Sequence, residues 1–119
     1  MAYVYKKTSA NSLNETQLGG PLAQLCGFEI YNTNAASRFV KLWWGAPGSF
    51  SSGKDNPTVG TDPPDITIEV NATNFSRQSY TSPIGNTGYL YMATTANAAD
   101  SDATVVGAGD LIISLFLSG

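Results

Sequence analysis

The carboxylates are the first residues in this sequence to test for chemistry. Asp100 and Asp102 stand two apart in "ADSDAT", and Asp110 follows in "GAGD". Carboxylates so placed could offer oxygens to Ca²⁺, but the spacing does not match an EF-hand, which needs further oxygens, a central Gly and a closing Glu. Asp side chains also bond nearby backbone amides and fix turns, which explains the pair without a metal. Glu15, Glu29 and Glu69 are scattered, and no spacing nominates an acid and base pair for glycosidic cleavage. Ser and Thr are plentiful, yet the chain has no histidine and no GxSxG elbow to activate a hydroxyl. "GNTG" and "GAPG" lack the lysine and the strand-to-helix setting of a phosphate loop. Cys26 is the single cysteine, so neither an intrachain disulfide nor a Cys/His metal site can form. Its setting in "LAQLCGFEIY" marks it as a small buried hydrophobe. The expectation is a protein without catalytic residues, metal ligands or cofactor.

The totals narrow the class further. A chain of 119 residues is long enough for one core and too short for two. Charged residues make up 13% of it, about half the usual share. The net charge is −3 and the longest basic run is Lys6-Lys7, which leaves nucleic-acid phosphates little to hold. No stretch approaches the roughly 20 apolar residues of a membrane span. The start, "MAYVYKKTSA", lacks the apolar run of a signal peptide, so synthesis in a cytosol is expected.

Turn signals recur at short intervals, and Val, Ile, Tyr, Phe, Trp and Thr fill the gaps between them. This punctuation predicts strands near residues 3–7, 22–32, 38–44, 65–71, 75–80, 88–95 and 110–117. Nothing longer than one turn reads as helix; the Ala-rich piece 94–102 offers no side chain large enough to dock one. An N-terminal arm occupies residues 1–21. A long loop rich in Gly and Pro spans residues 45–65, and loops of that size in compact domains are usually functional or mobile. The fold expected is all-β: a single antiparallel β-sandwich of jelly-roll type.

Several of these strands are apolar on both faces. Strand side chains alternate, so in "RFVKLWW" Val40, Leu42 and Trp44 share one face while Phe39, Lys41 and Trp43 share the other. Lys41 marks its own face as the outer one, which leaves Phe39 and Trp43 outside the core. In "YLYMA", Leu90 and Met92 oppose Tyr89 and Tyr91. In the last strand Leu111, Ile113, Leu115 and Leu117 form one stripe, and Ile112 and Phe116 lie opposite with Ser114 and Ser118. Antiparallel sandwiches normally present polar outer faces. Either the long loop or the arm over residues 8–21 folds across these faces, or neighbouring subunits cover them. The two explanations stay open here and are compatible on different faces. The candidate interface residues are Phe39, Trp43, Tyr89, Tyr91, Ile112 and Phe116.

"FEIYNTNAASRFVKLWW", "NPTVGTDPPDITIEV" and "GYLYMATTANAADSDATVVGAGDLIISL" carry a family likeness. Together they resemble a recurrent type of small tailed-bacteriophage virion protein, over most of the chain from about Leu25 to Leu117. "PTVGTD" and "AADSDAT" are the specific pieces; the strands between them are generic. The chain departs from the pattern by the insertion "GAPGSFSSGKDN" and by "NATNFSRQ", which stands where a small-residue turn and strand belong. The resemblance implies a β-sandwich structural protein of the virion, made in the host bacterial cytoplasm. The specific expectation is a capsid decoration (cement) protein. It would associate with itself, by analogy as a trimer, and with other virion proteins such as the major capsid protein. A tail component, or a carbohydrate- or receptor-binding module of a fibre, is the alternative. In the carbohydrate reading Trp43, Tyr89 and Tyr91 would stack on a glycan and loop 45–65 would shape its site.

Overall fold

The computed structural model describes residues 2–9, 16–18, 20, 22–85 and 87–118. Among these residues, eight strands fold into two four-stranded antiparallel sheets. They are β1 (Ala2–Thr8), β2 (Thr16–Leu18), β3 (Gln24–Asn32), β4 (Arg38–Gly45), β5 (Ile66–Val70), β6 (Phe75–Ile84), β7 (Tyr89–Thr95) and β8 (Leu111–Ser118). The first sheet has the order β1-β8-β3-β6 and the second β2-β7-β4-β5. That interleaving of eight strands over two sheets is a jelly roll. One turn of 3-10 helix, Ser51–Gly53, lies in the long loop.

The core forms where the alternation directs it. Leu111, Ile113, Leu115 and Leu117 of β8 are all fully buried, as the stripe requires. They meet Leu25, Phe28 and Ile30 of β3 and, from the second sheet, Val40, Leu42 and Trp44, in one cluster. The Trp44 indole N–H is satisfied within the core by donating to the Ala23 carbonyl at 2.8 Å. The turn in "YNTNAAS" is fixed by its asparagines. Buried Asn32 donates through Nδ2 to the Ala36 and Val70 carbonyls and accepts the Asn34 amide on Oδ1. Asn34 in turn accepts the Ala36 amide at 2.9 Å, so two Asx turns carry the chain from the first sheet to the second.

Three expectations need correction. The N-terminal segment is not an arm laid across a face: β1 pairs with β8 along its whole length, and β2 adds to β7. Residues 10–15, 19 and 21 of that segment lie outside the described residues. Strand β6 runs on to Ile84, past a register break in which Gly27 pairs with Ser79 while Leu25 pairs with Ile84. Cys26 sits at this break and is half-buried, since the bulge turns it away from the regular inward positions. Gly27 is required there by close approach: a Cβ on it would lie 2.5 Å from the Gln78 carbonyl oxygen.

Candidate interaction face

The outer face of the second sheet is sealed by the chain itself. Registers Lys41↔Ala93, Trp43↔Tyr91 and Gly45↔Tyr89 place the sequence-predicted aromatics of β4 and β7 side by side. Trp43 and Tyr91 retain 2% of their accessible surface, and Phe39 is buried as well. Loop 46–65 lies over Trp43 and Tyr91. Its Phe50 ring meets Tyr91 edge-on, with centroids 5.5 Å apart. Val59 and the half-buried Tyr89 complete the small cluster. Trp43 Nε1 donates to the Asp62 carbonyl at 2.9 Å, and the Tyr91 hydroxyl donates to the Asp55 carbonyl at 3.0 Å. Phe39, Trp43 and Tyr91 are therefore not the exposed residues that the alternation suggested. Their faces are fully engaged and offer no platform for a sugar ring.

Lys41, expected to mark a solvated face, is also fully buried. Its ammonium donates to the Ala99 carbonyl at 2.7 Å and the Asp102 carbonyl at 3.3 Å, under the loop joining β7 to β8. Burial lowers the Lys41 pKa below its usual value, and attraction from Asp102 and Asp100 opposes that shift. The stem of Lys41 thus behaves as core, while its charge organises the loop above.

That loop is ordered by carboxylates. Asp102 accepts the Asn97 amide and side chain at 3.1 Å each, the Thr104 amide at 3.3 Å and the Thr104 hydroxyl at 2.8 Å. Asp110 accepts Arg38 Nε at 3.1 Å, the Gly107 amide at 2.9 Å and Asn34 Nδ2 at 3.3 Å. Asp102 and Asp110 hold the turns, whereas Asp100 is exposed and acts on Lys41 through charge. In the other loop Asp62 accepts the Ser51 amide and hydroxyl and the Thr58 amide. The two segments singled out in the sequence also touch. Gly60 of "PTVGTD", with φ +89, lies so close that a Cβ would sit 3.1 Å from the Ala103 methyl of "AADSDAT". Among the described residues no group of three or more His, Cys, Asp or Glu is placed to hold a metal ion.

These carboxylates make stability depend on acid. Burial alone would raise Asp62, Asp102 and Asp110. Their hydrogen bonds outweigh it, from Ser51 and Thr58, from Asn97 and Thr104, and from Arg38, Gly107 and Asn34 respectively, and hold all three below the usual carboxylate value. A carboxyl depressed in the folded state stabilises the fold above its unfolded pKa, and that contribution is lost as pH falls through the folded value. The melting temperature should therefore hold steady near neutrality and drop from about pH 4 downward. Asp102→Asn should lower it at pH 7 and flatten the acid limb. Melts between pH 7 and 2 showing the same acid limb in both proteins would refute this.

The outer face of the first sheet is different: nothing in the chain's described residues lies over it. The register lines up three rows across β1, β8, β3 and β6: Val4, Phe116, Gly27 and Ser79; Lys6, Ser114, Glu29 and Arg77; Thr8, Ile112, Tyr31 and Phe75. Val4 is 55% exposed, Ile112 49%, Phe116 37% and Phe75 51%, four of the six exposed large apolar side chains among the described residues. Arg77 lies over the Phe75 ring at 5.0 Å and reaches Glu29 at 3.4 Å. A trough of about 270 Å³ lies on this face, lined by Phe28, Glu29, Arg77, Gln78, Ser79 and Phe116. Of the candidate interface residues, Ile112 and Phe116 are thus on an open face, Tyr89 is half-buried, Phe39 is buried, and Trp43 and Tyr91 are beneath the chain's own loop. The sequence reading missed Val4, Phe75 and Arg77. "VYKK" and "FSRQ" hold their alternation, but only the strand order reveals that they flank β8 and β3.

The sheet edges are guarded. β1 carries Lys6 and Lys7, β6 has the register break and Pro83, and β5 and β2 are five and three residues long. Charge, proline, irregularity and brevity are how sheets avoid edge-to-edge pairing. The molecule is thus an eight-stranded jelly roll with one self-sealed outer face and one open one. No family model matches the chain, and no curated protein does. It is similar to a solved structure, the crystal structure of PirA, at a TM-score of 0.43 and 11% identity over 96% of this chain and 93% of that one. A likeness of that degree carries nothing further to this protein.

Proposed function

We propose that this protein is a non-enzymatic structural component of a tailed-bacteriophage particle, most concretely a capsid decoration protein that assembles through the open face of its first sheet. The observation that carries the reading is the contrast between the two faces. The same chain buries Trp43 and Tyr91 under its own loop and leaves Val4, Ile112, Phe116 and Phe75 uncovered together. Exposed apolar groups gathered on one surface mark interaction sites, and the guarded edges favour a face over an edge as the contact. The virion setting rests on the sequence resemblance alone, and a jelly roll by itself implies no function. Mass spectrometry of purified particles should detect the protein, and the purified subunit should rebind capsids stripped of it. Ile112→Ser with Phe116→Ser should abolish rebinding while leaving the fold intact. Absence from particles together with failure to rebind would overturn the reading.

One observation favours a second reading, a receptor- or carbohydrate-binding module. The trough on the open face sets the Phe116 ring beside Glu29, Arg77 and Ser79, an apolar wall with convergent polar groups. A glycan array decides it: reproducible binding lost on Phe116→Ala supports this reading, and a blank array removes it.

A further inference from the structure

The trough on the open face holds a pair of opposite charges, and that pair decides what it can bind. Arg77 Nη2 donates to Glu29 Oε1 at 3.4 Å, and the guanidinium lies 5.0 Å from the centre of the Phe75 ring. Glu29 and Arg77 thus compensate each other, which leaves no net charge between them to draw in an ion. Lys6 shares their row but stands two strands away from Glu29. That is roughly 10 Å at about 4.8 Å per strand, a distance at which physiological salt screens it. Compensation does not exhaust the pair. A guanidinium has several N–H donors and a carboxylate several acceptor lone pairs, and this contact uses one of each. Both side chains stay accessible, 64% for Arg77 and 45% for Glu29. Gln78 donates its amide N–H to the Ser79 carbonyl at 3.2 Å, which keeps the amide oxygen as a further acceptor. The Ser79 hydroxyl lines the same trough.

We infer that the trough is a binding site for a single uncharged sugar ring, which lies on Phe116 while Glu29 and Arg77 read its hydroxyls. The inference rests on the second reading above, in which the face stays open to a ligand, and adds the class of sugar and the role of each residue. A pyranose is amphipathic in the way this trough requires. Its faces present C–H groups that pack on an aromatic ring, and each hydroxyl at its edge both donates and accepts. Phe116, 37% exposed, supplies the ring. Glu29 accepts from hydroxyls and Arg77 donates to them, in charge-assisted bonds stronger than neutral ones. Phe75 and Glu29 hold the guanidinium in place before the ligand arrives, which lowers the ordering cost of binding. An acidic sugar gains little, because its carboxylate would compete with Glu29 for the one guanidinium. The volume of about 270 Å³ lies just below the roughly 300–1,000 Å³ of pockets for drug-sized ligands, which suits one ring and not a chain of them.

Saturation-transfer NMR on the dilute subunit tests this, with the methyl glycosides of glucose, galactose and mannose as probes. Glucuronic acid and N-acetylneuraminic acid are the charged controls. At least one neutral glycoside is expected to bind, with neither acid competing for its place. Phe116→Ala and Glu29→Gln should each weaken that binding at least about tenfold, and Lys6→Ala should leave it unchanged. Melting temperatures should stay within a few degrees of wild type, since the Phe116 and Glu29 side chains are partly exposed. If the acids bind as well as the neutral glycosides, or in their place, the uncharged class is wrong and the carbohydrate reading stands. If a neutral glycoside binds both Phe116→Ala and Glu29→Gln as tightly as wild type, the site lies elsewhere, and the inference fails while that reading stands. If no probe binds, the inference fails, and the reading fails with it only when the glycan array is blank too.

Discussion

Ile113→Ala and Leu115→Ala should each destabilise this protein by about 2–5 kcal/mol, the cost of losing a buried aliphatic and leaving a cavity. Both side chains are fully buried between the sheets. A domain of this size has roughly 5–15 kcal/mol in total, so either variant should melt far below wild type or fail to fold. Phe116, one residue from Leu115, points the other way and is 37% exposed. Phe116→Ser should change stability by less than about 1 kcal/mol, as surface substitutions usually do. Thermal melts on the three variants check the contrast. A Phe116→Ser loss as large as that of Ile113→Ala would mean that the first sheet's outer face is covered after all.

Trp43→Ala is expected to cost about 3–5 kcal/mol, the range for a large aromatic removed from a packed site. The loss has two parts. The ring leaves a void against Tyr91 and Val59, and the Asp62 carbonyl loses its indole donor. Asp62 also gathers Ser51 and Thr58, so the loop should loosen with it. Limited proteolysis of the variant should open the chain between residues 46 and 65, where wild type resists. An unchanged melting temperature would contradict the sealed face. In that case Trp43 would be free for the glycan-stacking role that the sequence also allowed.

The parts of the fold legible in the sequence were those set by period-two alternation within one strand. Leu111, Ile113, Leu115 and Leu117 announce a buried stripe because a large aliphatic recurs at every second position along the whole strand. Strand β2 was illegible because three residues with one buried leucine make no period. The far end of β6 was hidden by Pro83, which reads as a turn and is tolerated here because the strand is an edge. Lys41 misled more instructively. A lysine normally faces water, but here the carbonyls of Ala99 and Asp102 replace it, and they come from a loop some 60 positions away. The signal that could have shown the cover was present: Phe50 and Val59 are the bulky apolar residues in a stretch otherwise made of small, polar and charged residues and proline. They need a surface to dock on, and the outer side of "KLWW" is one. The open face was half legible, because Ile112 and Phe116 follow from alternation, whereas the neighbours that make them a surface follow only from the strand order.

The central claim, that the open face of the first sheet is an assembly surface, is tested most directly by sedimentation equilibrium of wild type and of the Ile112→Ser, Phe116→Ser double variant, each with a thermal melt. The account predicts that wild type exceeds its monomer mass of 12.5 kDa, and that the variant sediments as a monomer with a melting temperature within a few degrees of wild type. A variant that associates as strongly as wild type, with its fold intact, would contradict it.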